Sequence, residues 1–180
     1  MRRTALMLMA TMALAGGSVC TLHAATDAGG AYVSNDVTLP AGYREWTLIS
    51  VAREEGKIDD LRAILGNEAA IKTLQESKYP IPNGAIIARL AWSYDELEES
   101  AKAFGQSQSH VAGHPKNGVQ FMVKDATKYA STGGWGYAQF DPGKSYNTAD
   151  QHACFACHSV VKNRDFVFNR FAPDLNGTQP

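Results

Sequence analysis

The chain lacks an excess of charge of either sign. Its 180 residues include 17 lysines and arginines against 18 aspartates and glutamates, a net charge of −1. Nucleic acids and anionic membranes are recognised largely through clusters of basic residues. The sequence therefore predicts neither of them as a partner. Internal repeats and low-complexity segments are lacking as well.

Long hydrophobic runs are also lacking. The longest, residues 5–15, is too short to span a bilayer comfortably. It follows Met1-Arg2-Arg3 and precedes small residues up to Ala24, an order typical of a secretory signal peptide. We expect cleavage after residues 1–24 and a periplasmic mature protein, with a retained membrane anchor as the alternative. Cleavage would leave 15 basic and 18 acidic residues, a net charge of −3.

The remaining chain has the length of one domain. We expect residues 25–42 to form a flexible arm, residues 43–173 to fold, and residues 174–180 to form a tail. Alternating and β-branched runs predict strands, and helical spacing of apolar residues predicts short helices. The expected strands cover residues 46–51, 61–65, 85–92, 119–123 and 135–140, and the expected helices follow Asn67, cover residues 95–104 and begin near Ala149. The predicted fold class is α+β, a mostly antiparallel five-stranded sheet with short helices.

Cysteine is scarce: the chain has three, and Cys20 falls in the predicted signal peptide. The other two lie in the run Cys154-Phe155-Ala156-Cys157-His158, whose spacing is that of covalent c-type haem attachment. Each thiol can form a thioether to a haem vinyl group, and His158 can bind the iron as proximal ligand. We therefore predict one covalently bound haem c per chain, near the C-terminus. The run Thr148-Ala149-Asp150-Gln151 predicts a capping box at the start of the helix that carries it.

Two other interpretations of the cysteine pair stay open. Export to an oxidising compartment would allow a disulfide between Cys154 and Cys157. A zinc site would need two further ligands, for which the sequence offers His110 and His114. The glycine and proline in residues 110–115 predict a loop there, so solvated loop histidines are the simpler interpretation.

Methionine is nearly absent beyond the signal peptide, which contains four of the five, and Met122 is the fifth. Small electron-transfer cytochromes usually use a methionine as the second axial ligand, which blocks exogenous ligands. After His158 the chain contains neither methionine nor histidine. Met122 lies in a predicted strand, where core packing is the more common role. The sequence thus favours an iron with one open axial position, and ligation by Met122 is the alternative.

These features resemble the cytochrome P-460 family, which includes hydroxylamine-oxidising cytochromes and the cytochromes c′-beta. The matching segments are Tyr43-Arg44-Glu45-Trp46, the Asn83-Gly84 turn with the strand after it, Val123-Lys124-Asp125, Gly134-Trp135-Gly136, the haem motif and residues 165–171. The resemblance implies a homodimeric antiparallel-sheet domain with a five-coordinate c-type haem near the C-terminus.

The resemblance also implies positions for the distal pocket. Where the family's hydroxylamine oxidases have a lysine cross-linked to the haem, this chain has Arg89, and where they have a proton-accepting glutamate it has Gln120. A guanidinium is a poor nucleophile, and a carboxamide cannot be a general base. Arg62 falls where the family has a distal arginine, so Arg62 and Arg89 are expected to direct hydrogen bonds and positive potential toward a ligand or the haem propionates. Ordinary surface positions are the alternative for all three.

Both departures favour the c′-beta role, binding of a small ligand such as nitric oxide without oxidation of hydroxylamine. Two alternatives remain: a hydroxylamine or nitric oxide oxidoreductase that passes electrons to a partner cytochrome, and a plain electron-transfer cytochrome. The cytochromes c′-beta are associated with a phenylalanine cap over the ligand. Phenylalanine is lacking between Ala25 and Ala103, so such a cap would have to come from Phe104 onward or be absent.

Overall fold

The computed structural model describes residues 37–172, and this part of the chain contains five β-strands and three α-helices. The strands are β1 (Thr47–Glu54), β2 (Asp60–Gly66), β3 (Ile86–Glu96), β4 (His110–Lys124) and β5 (Trp135–Phe140). The helices are α1 (Glu68–Gln75), α2 (Glu98–Phe104) and α3 (Gln151–His158), with short 3-10 helices at Tyr43–Glu45, Ala130–Thr132 and Ser159–Arg164. All neighbouring strands pair antiparallel in the order β1-β2-β3-β4-β5, which confirms the α+β class and the five-stranded antiparallel sheet.

Both faces of the sheet carry buried side chains. Successive residues of a strand point to opposite faces, so each strand contributes to two clusters. The face covered by α1 and by the chain around α3, here the α3 face, is built on Ile64, Ile87, Trp135 and Tyr137. The opposite face is built on Leu65, Ala88, Leu90, Phe121, Ala138 and Phe140. Residues on the α3 face are therefore the ones available to a group held by α3.

Two elements follow the sequence prediction closely. Strand β5 has the predicted bounds, Trp135–Phe140. Helix α1 begins directly after Asn67, whose side-chain oxygen accepts hydrogen bonds from Ala70 N at 3.1 Å and from Ile86 N at 3.0 Å. Asn67 therefore caps α1 as predicted. It also ties the helix to the start of β3.

Residues 110–115 depart from the prediction of a loop. The structure extends β4 through them, paired with the far end of β3. The pairing register shifts on both sides of Trp92, which faces Pro115, so the proline falls at an irregularity of the ladder where its missing N–H is tolerated. A Cβ on Gly113 would lie 2.8 Å from the Asp95 carboxylate, so glycine permits the close approach. The loop prediction is wrong, and Asp95 belongs to β3 rather than to α2.

The chain packs into the domain earlier than the sequence predicts. Val37, within the expected flexible arm, is buried in the cluster on the face opposite α3. The predicted signal peptide, most of the arm and the tail from residue 174 lie outside the described residues. Within residues 37–172 no helix is both long enough and apolar enough to cross a bilayer.

Candidate haem site

Amide side chains attach the segment that contains α3 to the outer edge of β5. Gln151 Oε1 accepts a hydrogen bond from Tyr137 N at 2.9 Å, and Gln151 Nε2 donates to the Tyr137 carbonyl. Asn147 Oδ1 accepts from Gln139 N at 2.9 Å, and Asn147 Nδ2 donates to the Tyr137 carbonyl at 3.1 Å. These amides satisfy backbone groups that a further strand would otherwise bind. The start of α3 is thereby fixed against the sheet.

The predicted capping box at Thr148 is wrong. Asp150 is the N-cap of α3, and its carboxylate accepts from the N–H groups two and three residues on, at 3.0 and 3.1 Å. The Thr148 hydroxyl instead donates to the Gln139 carbonyl at 3.2 Å. Because Gln151 also bonds to β5, both residues of the expected box bind the sheet edge. The helix consequently begins at Gln151 rather than near Ala149.

The Cys-x-x-Cys-His motif occupies the C-terminal half of α3. Cys154, Cys157 and His158 are three and four residues apart, so their side chains share one face of the helix. Both thiols are free; Cys154 is half-buried and Cys157 exposed. Burial, followed by the nearby Asp150 carboxylate, raises the pKa of the Cys154 thiol. Within residues 37–172 no three histidine, cysteine or acidic side chains are placed to hold a metal ion, so the zinc alternative gains no support.

His158 is held in one orientation by three contacts. Its Nδ1 lies 2.7 Å from the Phe166 carbonyl oxygen, and since a carbonyl can only accept, Nδ1 carries the proton. The imidazole ring packs against the rings of Tyr137 and Phe168, each with its centroid 5.1 Å away. Burial lowers the pKa of His158, against the opposing effect of the Phe166 hydrogen bond. A neutral imidazole with Nε2 available, beside two free thiols, suits the proximal ligand of a haem iron.

A row of polar side chains crosses the α3 face beside Tyr137. Arg89, Gln120 and Gln139 are direct neighbours in the register of β3, β4 and β5. Arg89 Nη1 donates to Gln120 Oε1 at 2.8 Å, and Gln120 Nε2 donates to Gln139 Oε1 at 2.7 Å. Gln139 Nε2 donates in turn to Asp141 Oδ1 at 2.8 Å. These four residues are called the polar row. Gln139 and its cross-strand neighbours lie about 7 Å along the strands from Tyr137, the spacing of alternate strand residues, and Asp141 lies two residues beyond Gln139.

Asp60 anchors the Arg89 end of the polar row. Its side chain is 0% exposed, accepts from Arg62 Nε at 2.8 Å, and pairs with Arg89 through the other carboxylate oxygen. Arg62 also lies 3.3 Å from a carboxylate oxygen of Glu54. Burial, followed by repulsion from Arg62, lowers the pKa of the Arg89 guanidinium. The charges of Arg62 and Arg89 are neutralised by Asp60 and Glu54. The arginines therefore direct their hydrogen bonds mainly toward protein groups.

The structure thus brings Arg62, Arg89 and Gln120 into one cluster, on the sheet face that α3 covers. Sequence reasoning missed Asp60 and Gln139, which complete the cluster. In the sequence, Asp60 looks like one residue of a polar turn. Only the pairing of β2 with β3 shows that Arg62 and Arg89 both contact its carboxylate. Gln139 left a usable signal, since it is the one polar side chain in an otherwise apolar strand.

Met122 is the described methionine, and it lies on the α3 face. It is the cross-strand neighbour of Tyr137 and packs, partly buried, against the core cluster of that face. The phenylalanines described next lie in two other parts of the fold. Phe121 and Phe140 fill the opposite face of the sheet, whereas Phe166 and Phe168 lie around α3 beside His158. The ring neighbours of His158 are thus Tyr137 and Phe168, whereas the Phe166 ring packs against Phe155.

The fold and the site define a class of α+β haem-binding domain, in which a helix with two thiols and an oriented histidine lies against one face of an antiparallel sheet. The family model for cytochrome P460 matches residues 40–169, most of the chain, and the protein belongs to the cytochrome P460 family. Membership implies a haem cofactor. Comparison with curated proteins gives no match.

Proposed function

We propose that the protein is a periplasmic c-type cytochrome whose five-coordinate iron binds nitric oxide or a similar small ligand. Thioethers from Cys154 and Cys157 hold one haem per chain, and His158 Nε2 is the proximal ligand. The haem supplies the iron at which the ligand binds. The side chains of this chain orient the proximal ligand and form the polar surface of the pocket.

Covalent attachment is supported by the state of α3. Both thiols are free, and the imidazole that follows them has a fixed tautomer with Nε2 available. A disulfide between Cys154 and Cys157 would consume the groups that form the thioethers, and the structure contains no such bond. Two free thiols and an oriented imidazole on one helix face are the groups that covalent haem attachment requires.

The observation that carries the functional proposal is the hydrogen-bonded polar row joined to Asp60. Arg89 donates to both Gln120 and Asp60, and the two glutamines bond to each other. The carboxamides cannot accept a proton at useful pH, and both oxygens of Asp60 are occupied by guanidinium groups. Gln120, which stands where the family resemblance implies a proton-accepting glutamate, therefore cannot supply the general base that oxidation of hydroxylamine would use, and the one carboxylate of the row, Asp141, lies at the end away from Arg89. Binding of an uncharged diatomic ligand needs no such base.

The core position of Met122 supports an open axial site. Its side chain packs against the cluster of the α3 face, as expected for a methionine that fills space between apolar groups. A five-coordinate iron follows if Met122 keeps this position in the mature protein. Six-coordination by Met122 would instead give an electron-transfer cytochrome.

Mass spectrometry and optical spectroscopy of the purified protein test the proposal together. We expect a haem peptide with two thioether links, a five-coordinate ferrous spectrum and a spectral change on addition of nitric oxide. A further covalent link from a lysine, with turnover of hydroxylamine, would instead favour the oxidoreductase. A six-coordinate low-spin resting ferrous spectrum, abolished in Met122→Leu, would favour the electron carrier.

Location and assembly belong to the same proposal. Export through residues 1–24 would place the chain where c-type haem is attached in bacteria, and N-terminal sequencing of the periplasmic fraction should begin near residue 25. The homodimer implied by the family resemblance should appear as twice the chain mass in light scattering. A partner cytochrome would be needed only if the iron cycles between oxidation states.

A further inference from the structure

Two consecutive residues after α3 adopt a backbone conformation that side chains disfavour. Asp165 has a φ of 51° and Phe166 a φ of 65°, both in the left-handed region. Residues with a Cβ stay in that region only where their surroundings hold them there. The contacts of Asp165 provide that restraint.

Asp165 is bound by three separate parts of the chain. Its Oδ1 accepts from Lys124 Nζ at 2.7 Å, and its Oδ2 accepts from Ile81 N at 2.8 Å. Its backbone carbonyl accepts from Trp135 Nε1 at 2.8 Å. The Lys124 and Asp165 side chains are 5% and 9% exposed, and Lys124 Nζ also lies 4.9 Å from the Trp135 ring centroid. A buried pair with this many partners fixes its residues firmly.

The turn held by Asp165 presents a carbonyl to the proximal histidine. The Phe166 carbonyl oxygen, one residue on, lies 2.7 Å from His158 Nδ1. The ring of Phe168, two residues further, contacts the same imidazole. A hydrogen bond at Nδ1 fixes the ring orientation and makes Nε2 a stronger electron donor to a metal. The position of the Phe166 carbonyl therefore bears on the iron.

We propose that Lys124 and Asp165 are positioning residues for the proximal ligand, setting the strength of the iron–histidine bond through the Phe166 carbonyl. This inference rests on the proposed function, because it takes His158 as the iron ligand. Neither side chain touches the imidazole. Their effect is carried by the backbone turn alone.

Resonance Raman spectroscopy of the unmodified ferrous protein gives the first test. The iron–histidine band should lie at high wavenumber, since the Nδ1 proton is hydrogen-bonded. A band at the position of a histidine without a hydrogen bond would overturn the inference. If His158→Gly retains the band, the proximal assignment and the proposed function both fail. This result is distinct from a failure of the inference about Lys124 and Asp165 alone.

Two variants then remove the restraint without touching the imidazole. Asp165→Asn removes the charge opposite Lys124 but keeps an acceptor for Ile81 N, and Lys124→Met removes the cation while keeping most of the side-chain volume. In both, the iron–histidine band should move to lower wavenumber and the reduction potential should become more positive, because the imidazole donates less. Exchange of the Nδ1 proton should become about fivefold to tenfold faster, as loss of one hydrogen bond would allow.

Lys78→Met is the matched control. Lys78 pairs with Glu76 at the same 2.7 Å distance, but their side chains are 75% and 41% exposed and lie just beyond α1. It should leave the band and the potential unchanged. Lower stability of Asp165→Asn or Lys124→Met with an unmoved band would show that the buried pair is structural only, and would overturn the inference. If neither variant accumulates with haem, a band of the unmodified protein at the position of a histidine without a hydrogen bond still overturns the inference.

Discussion

Replacing Asp60 by asparagine should destabilise the protein strongly, although it removes a single charge. The Asp60 side chain is fully buried and is shared by Arg62 and Arg89, whose own side chains are 15% and 17% exposed. Asparagine keeps the shape and one acceptor oxygen but leaves the two cations without their common anion. The loss therefore acts on both guanidinium groups together.

The magnitude follows from these contacts. Breaking one partner of a buried ion pair costs about 3–5 kcal/mol of unfolding free energy. Arg62 retains Glu54 at 3.3 Å, which compensates part of the loss. We expect a decrease of about 2–4 kcal/mol in unfolding free energy, because the guanidinium groups keep some contact with water. For a chain of this size the midpoint temperature should fall by roughly 4–16 °C.

Urea and thermal unfolding of the haem-containing protein measure this change, and Asp59→Asn is the control. Asp59 is the preceding residue, but its side chain is 50% exposed and lies 3.6 Å from Arg53. Its replacement should cost less than about 0.5 kcal/mol. Equal effects of the two substitutions would refute the buried-charge reasoning. Adding Arg89→Met to Asp60→Asn should cost less than the sum of the single changes, because one unpaired cation is removed.

Three further outcomes test the site. Treated with hydrogen peroxide as two-electron oxidant, Arg89→Lys should let a fraction of the haem gain a covalent link to β3, with loss of one N–H and one porphyrin C–H hydrogen, visible by peptide mass spectrometry; a haem peptide with thioethers alone would contradict the alignment of Arg89 with the cross-linking lysine. His158→Ala should keep haem on both cysteines but remove the iron–histidine band, and unchanged nitric oxide affinity would mean that another residue is the proximal ligand. Gln139→Leu should speed nitric oxide dissociation about threefold to tenfold, since Gln120 loses a hydrogen bond that holds its amide. The exposed Gln106→Leu should have no such effect, and equal rates in both variants would separate the polar row from ligand binding.

The sequence predicted best where local chemistry decides the structure. The bounds of β5 follow from an aromatic, alternating run next to a glycine-rich turn, and the start of α1 follows from one capping side chain at Asn67. The five strands and their mostly antiparallel arrangement were predicted as well, whereas their order was not. The antiparallel sheet could thus be predicted without knowledge of its register.

The errors arose where a distant partner decides. Gly113 and Pro115 are turn-forming residues by propensity, yet both lie in β4. The ladder with β3 is irregular on both sides of Trp92, which faces Pro115, and Gly113 has no Cβ to collide with the Asp95 carboxylate. Thr148 has the spacing of a capping residue, but a free strand edge offers it a better partner.

The site shows the same division between local motif and distant pairing. The Cys-x-x-Cys-His motif is readable because its residues are adjacent in sequence. Asp60, Gln139, Lys124 and Asp165 act only through register and tertiary contact. Arg89 and Gln120 were found by family resemblance, and their cross-strand pairing agrees with the count along each strand. Their roles stay predictions until the variants are measured.

The polar row has a direction. Each donor from Arg89 onward points toward Asp141, and each acceptor points back toward Asp60. Rotating the Gln120 amide by 180° would place its NH2 group against the Arg89 donor and its oxygen against the Gln139 oxygen. Neither glutamine amide can therefore reverse unless the other does. Arg89, which can only donate, and the Asp141 carboxylate, which accepts, therefore fix the orientation of both amides between them. In an electron-density map, where amide oxygen and nitrogen look alike, this arrangement would assign them without ambiguity.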